Sequence, residues 1–321
     1  MTTPLSRRDL MTYSAATAGA LVAGSFSANL FAAETSQITS AEKRPFGYCF
    51  NTSCIRGQKP DLVAEIEMVA KAGYDGIEPW IRELDQYVQD GGSLRDLRKR
   101  LEDLGLGVES AIGFANWIVD DDQKRAEALE QSKREMGMLA EIGAKRIAAP
   151  PAGAHRGEKL DLMDVAKRYH ALLEVGRETG ILPQLEIWGP ATNLSRIGEA
   201  VFVATESGHP DACLLLDVYH IFRGGSDFNG LNIINGKAMH VMHINDYPAE
   251  PEREKMGDKD RVYPGDGVAP LDQILSTLKA TGYTGMLSLE LFNPEYYKQD
   301  PEIVIQTGIS KIDKAVISAV G

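Results

Sequence analysis

The chain has little with which to build a cross-linked or nucleic-acid-binding protein. Its 321 residues include only 3 cysteines, Cys49, Cys54 and Cys213. An odd set of that size cannot supply a complete disulfide framework, and Cys213, opening an apolar run, reads as a small core residue. Positive charge is also short: 34 Lys and Arg stand against 46 Asp and Glu, a net charge of −12. That balance argues against a nucleic-acid backbone or an anionic membrane surface as the main partner. No apolar run is clean enough to span a bilayer; the stretch Thr12 to Ala33 is broken by Ser14, Thr17, Ser25, Ser27 and Asn29. Low-complexity segments are lacking too, and a hydrophobic share of 43% suffices for a sizeable core.

What is present begins with Ser6-Arg7-Arg8-Asp9-Leu10-Met11, a twin arginine ahead of that weakly apolar stretch. Residues 1–33 resemble a Tat-type signal peptide, which implies export to the periplasm as a folded protein. The stretch holds no Cys for a lipid anchor, so no membrane attachment is expected after processing. Residues 34–43 read as a polar spacer, and residues 44–321 as one domain.

Within that domain strand-like and helix-like segments alternate eight times. The expected strands are Phe46–Phe50, Gly76–Trp80, Gly107–Ala111, Arg146–Pro150, Pro183–Trp188, Ala212–Val218, Met239–Ile244 and Met286–Leu291. Helices are expected over Asp61–Ala72, Leu94–Leu104, Asp122–Ile142, Leu162–Thr179, Leu194–Ser207, Leu271–Thr281 and Pro301–Ala319, with a short one near Asp227–Asn235. Helix-to-strand returns repeat a glycine stop, at Gly73, Gly105, Gly143, Gly180, Gly208 and Gly282. Regular alternation without a break in composition predicts a single (β/α)8 TIM barrel, with a doubly wound sheet as the alternative. The longest loops, Ile112–Asp122 and Asp246–Pro270, follow strands and so fall at the end where barrel active sites lie.

Four polar residues end apolar strand-like runs: Glu186 in LPQLEIW, Asp217 in CLLLDVYH, His243 in MHVMHIND and Glu290 in MLSLELF. Burying such groups is costly unless something compensates them. In a barrel they stand on adjacent strands, where together they offer a divalent cation three carboxylates and an imidazole. That donor set suits Mn²⁺, Mg²⁺ or Co²⁺ and accommodates Zn²⁺; Mn²⁺ is the first expectation. His220, just beyond Asp217, is expected to contact substrate. Arg261 is expected as a cationic contact from the long loop, and Trp117 and Trp188 as aromatic walls. Glu78 reads as a hydrogen-bond acceptor behind the ligands. No cluster of Lys or Arg stands out near the strand ends, which favours an unphosphorylated substrate.

The stretches GYDGIEPW, LEIWGPATN, LLLDVYH, HVMHINDYP, RVYPGDG and LSLELF resemble the xylose isomerase-like TIM barrels, in their sugar epimerase and isomerase branch. The resemblance runs from Arg44 to the C-terminus. It implies one divalent metal on Glu186, Asp217, His243 and Glu290, with Glu186 and Glu290 also acting as the acid/base pair and His220 touching substrate. The expected activity is metal-dependent epimerisation or isomerisation of a small sugar or cyclitol through an enediolate. Dehydration on the same site, as in inosose dehydratases or keto-glycoside lyases, is the alternative, and a non-catalytic sugar-binding barrel a further one. Nucleases of the superfamily have three-zinc sites that require extra histidines after strands two, three and seven. Here strands two and three end in Glu78-Pro79-Trp80 and Ala111-Ile112-Gly113-Phe114, so no nucleic-acid partner is expected. A homo-oligomer is left open.

Overall fold

The computed structural model describes residues 44–321. The twin-arginine stretch and the whole of the spacer lie outside the described residues. The chain runs β1 (Gly47–Asn51), α1 (Leu62–Ala72), β2 (Gly76–Glu78), α2 (Ile81–Gln89), α3 (Leu94–Leu104) and β3 (Gly107–Val108). It continues through α4 (Asp122–Glu141), β4 (Arg146–Ala149), α5 (Leu162–Thr179), β5 (Leu182–Glu186), α6 (Ile197–Glu206) and β6 (Leu214–Asp217). The last elements are α7 (Val218–Gly224), β7 (Met239–Ile244), α8 (Leu271–Ala280), β8 (Met286–Leu289) and α9 (Pro301–Val320).

The eight strands are parallel in the order β3-β2-β1-β8-β7-β6-β5-β4, a TIM barrel. The ladder between β3 and β4 is irregular, yet the backbone still closes there. Lys145 N–H donates to Val108 O at 3.2 Å, Ala111 N–H to Arg146 O at 3.1 Å and Ala148 N–H to Ala111 O at 2.8 Å. Each expected glycine stop takes positive φ, for example 88° at Gly73 and 77° at Gly180, the left-handed conformation that ends a helix without a Cβ penalty.

Two helices differ from the sequence expectation. α2 follows β2 almost directly and is too short to show a clear period. α7 begins at once after β6, and its apolar VYHI reads like more strand; Asp217, accepting from His220 N–H at 2.9 Å, caps it and turns the chain. The short helix expected near Asp227–Asn235 is a 3₁₀ turn over Phe228–Ile233.

Along β6, Leu214 and Leu216 pack into the large apolar layer between strands and helices, while Leu215 joins a smaller cluster with Trp80, Ile112, Ala148 and Val241. This alternation is that of a barrel strand buried on both faces. Cys49, Cys54 and Cys213 are free and buried. Among the described residues, no helix is long and apolar enough to cross a membrane.

Candidate active site

Glu186 ends β5, Asp217 ends β6, His243 lies one residue from the end of β7, and Glu290 directly follows β8. Parallel pairing sets Asp217 beside His243 and His243 beside Ser288, so the ladder fixes the spacing of the group. Asp217, His243 and Glu290 offer ligand atoms that all lie within 4.8 Å of one another. His243 Nδ1 faces Glu290 Oε2 at 3.2 Å, Asp217 Oδ2 at 3.6 Å and Glu186 Oε1 at 4.0 Å. Yet His243 Nδ1 and Glu186 Oε2 are buried without a hydrogen bond of good geometry. The Asp217, His243 and Glu290 group fits a divalent cation of the hard to borderline class, and Glu186 stands just outside it.

Glu78, from the end of β2, sets the imidazole. Its Oε2 lies 3.0 Å from His243 Nε2 and accepts from Ser288 Oγ at 2.8 Å and Asn51 Nδ2 at 2.9 Å. Engaging Nε2 leaves Nδ1 to face the carboxylates, the arrangement that orients a metal-binding histidine. Burial alone would keep His243 neutral, but the charges of Glu290 and Glu78 overcome it and raise its pKa well above the usual range. A bound cation would displace that proton.

Arg261 reaches in from the loop after β7 and is 1% exposed. Its Nη1 donates to Asp217 Oδ2 at 2.9 Å and Glu290 Oε2 at 2.7 Å, while Nη2 donates to Asp258 Oδ1 at 2.6 Å. Burial would raise the pKa of Asp217, but the Arg261 charge outweighs it and holds the carboxyl well below its ordinary range. The loop that carries Arg261 is tied down by Asp246, whose carboxylate accepts backbone N–H from Tyr247, Gly265, Gly267 and Ala269.

These groups open on a cavity of about 370 Å³ that includes Glu186, Glu290, His220 and Arg261. Gly189 N–H lies 3.2 Å from His220 Nδ1 and Arg261 Nη2 lies 3.1 Å from Nε2, so an N–H group meets each ring nitrogen. The opposite wall is an aromatic arc in which Trp80 meets Phe292 and Phe114, and Phe114 meets Trp188, at centroid distances of 6.1, 5.2 and 6.0 Å. Trp188 therefore lines the cavity, as expected. Trp117 does not: it is 1% exposed, donates from Nε1 to Pro150 O at 2.8 Å and packs on Tyr169 under the loop. Its indole N–H found a backbone partner in the core, and Trp80, Phe114 and Phe292 supply the wall instead. Sequence carried one signal for these three, since each follows a strand end. A hollow of about 510 Å³ at the opposite end of the barrel, near Gly176, Asp211 and His240, lacks converging carboxylates.

A family model described as xylose isomerase-like TIM barrel matches residues 66–314. An inosose isomerase of Bacillus velezensis is 30% identical over 281 residues, 84% of this chain and 96% of that protein. A 3-dehydroshikimate dehydratase of Pseudomonas aeruginosa is 27% identical over 241 residues, 72% of this chain but 36% of that protein. Among solved structures, the IolI protein, described with a binding zinc atom, has a TM-score of 0.79 at 27% identity, covering 86% of this chain and 100% of that one.

Proposed function

This chain belongs to the xylose isomerase-like TIM barrel family, and we propose that it is a metal-dependent isomerase or epimerase of small keto-sugars or keto-cyclitols. The observation that carries the proposal is the convergence of Asp217, His243 and Glu290, with Glu186 standing 4.0 Å from His243 Nδ1, beside an aromatic-walled cavity.

A divalent cation held by these residues, with Mn²⁺ as the first candidate and Mg²⁺, Co²⁺ or Zn²⁺ as alternatives, supplies charge that acidifies the C–H beside a substrate carbonyl. Asp217 and His243 serve as ligands. Glu186 and Glu290, on β5 and after β8, flank them and move the proton. Without a cation, burial raises the Glu186 pKa to about 8; His243 opposes the shift and the Glu290 and Asp217 charges add to it. A cation held beside Glu186 would draw that value down again and leave a carboxylate able to accept a proton. Arg261 and Asn51, bonded to the two Glu290 oxygens at 2.7 and 3.3 Å, hold the second carboxylate. Return of the proton to the opposite face of the same carbon inverts that centre; return to the neighbouring carbon exchanges the positions of ketone and alcohol. His220, on the cavity wall, is placed to meet a substrate oxygen, and Trp188 with its aromatic neighbours covers apolar C–H faces. The similarity to a 3-dehydroshikimate dehydratase supports a second reading, in which the same proton removal is followed by loss of a β-hydroxyl.

The test is proton exchange in D₂O. The Mn²⁺-loaded chain is incubated with a panel of ketoses and inososes and followed by NMR, which also distinguishes isomers from dehydrated products. Exchange that disappears in Glu290→Gln, with metal stoichiometry lost in Asp217→Asn, supports the proposal. Exchange at full rate in both Glu186→Gln and Glu290→Gln removes it.

A further inference from the structure

The cavity mouth carries two arginines that the chemistry above does not use. Arg56, after β1, and Arg156, after β4, both line the cavity. Among the described residues neither forms an ion pair. By contrast Arg261, deeper in the same cavity, is committed to Asp217, Glu290 and Asp258. In barrel order β1 adjoins β8 and β4 adjoins β5, so Arg56 and Arg156 stand on either side of the quarter that bears the four polar strand-end residues.

Arg56 is held in place by its aromatic neighbours. The Arg56 guanidinium lies over the Phe292 ring, 4.7 Å from its centroid, and near the rings of Trp80 and Tyr297 at 5.9 Å each. Stacking of this kind restrains the side chain and sets part of its edge beside the Tyr297 hydroxyl. Arg156 follows His155, whose carbonyl accepts from Thr192 N–H at 2.9 Å and whose ring meets Trp188 edge-on at 5.8 Å. His155 Nδ1 is itself buried without a partner and belongs to the same cavity wall. With Arg261, Arg56 and Arg156 set three guanidinium groups beside Glu186, Asp258 and Glu290, in a chain whose net charge is −12.

Resting on the isomerase or epimerase reading, we propose that the substrate is a keto-sugar or keto-cyclitol bearing an anionic oxygen group, carboxylate or phosphate, received between Arg56 and Arg156. A neutral polyol is served by aromatic faces and single hydrogen bonds. A guanidinium fork matches two anionic oxygens, and unpaired cations at a mouth in an acidic protein concentrate anions there. This reverses the sequence expectation of a mouth without clustered cations: residues 100 apart in the chain are brought to one opening.

Trp80 and Trp188 line the cavity and supply the readout. The Mn²⁺-loaded chain is titrated with 5-keto-D-gluconate, D-fructose 6-phosphate and D-fructose while tryptophan fluorescence is followed. At least one anionic probe is expected to bind about tenfold tighter than fructose, a difference of about 1.4 kcal/mol, and which one does so separates carboxylate from phosphate. Arg56→Ala and Arg156→Ala are each expected to reduce the preference severalfold, and the double variant to bring the affinities together. Equal affinity for all three probes, no response to either anion, or a preference that survives the double variant would overturn the proposal. Proton exchange on the same probes keeps the two readings apart. An anion preference with no exchange leaves the substrate class standing and the isomerase reading fallen; exchange on fructose with no anion preference does the reverse.

Discussion

The two ends of the barrel treat a buried glutamate in opposite ways. Glu109, toward the end where strands begin, is 5% exposed and meets Lys145 Nζ at 2.6 Å and Arg146 Nη1 at 3.3 Å. Glycines make room for it: a Cβ on Gly107 would lie 2.7 Å from its Oε1. Glu186, at the end where strands finish, is 4% exposed, has one oxygen without any partner, and finds its nearest cationic atom 4.0 Å away. Burial is the same and residue type is the same; only the counter-charge differs. A paired buried acid completes a structure, whereas an unpaired one facing two more acids and an imidazole requires a cation from outside.

The largest way to break this contrast is to remove the unpaired acid. Glu186→Gln is expected to lower Mn²⁺-dependent C–H exchange by about 10²–10⁴-fold while the far-ultraviolet circular dichroism stays native. Next comes Arg261→Leu, which leaves Asp217 and Glu290 buried with only His243 as counter-charge. Urea unfolding of the metal-free variant should show a loss of about 3–5 kcal/mol, part of it recovered by adding Mn²⁺. At the paired end, Arg146→Met is expected to cost about 1–3 kcal/mol through Glu109, with bound metal per chain unchanged by atomic absorption. If that variant lost its metal, the two ends would not be separable.

A third buried glutamate sharpens the contrast least in energy but most in logic. Glu65 in α1 is 3% exposed with one oxygen unpartnered, and burial, reinforced by the Glu83 and Asp61 charges, pushes its pKa up to about 9. A carboxyl raised in the folded state favours folding fully below its unfolded pKa of roughly 4.3, and that contribution is lost as pH rises toward 9. Glu65→Gln should therefore melt with wild type near pH 4 and higher than wild type at pH 9, by on the order of 1 kcal/mol or about 2–4 °C. An isolated buried acid responds to pH, not to metal.

Legibility in the sequence followed the length scale of the signal. The barrel could be read because strand runs and glycine stops recur locally, and α3 and α5 have the bounds expected for them. The strand-end quartet was visible for a related reason: each member interrupts an apolar run, so its oddity needs no knowledge of its neighbours. α2 and α7 were missed because one is too brief for a period and the other continues an apolar strand. The walls of the cavity were only partly legible. Trp117 and Trp80 both follow strand ends, and nothing local says that one indole will bond Pro150 O in the core while the other borders the opening. Arg56 and Arg156 were invisible as a pair, since only barrel closure brings their loops to one mouth.

Arg261 has a consequence for which ions this protein admits. Its Nη1 holds the Asp217 and Glu290 oxygens that face His243 Nδ1, so the chain carries a provisional counter-ion of its own. A cation entering this cup would have to share or take over two oxygen atoms that a guanidinium already holds, so Arg261 sets a threshold that a weakly bound ion does not cross.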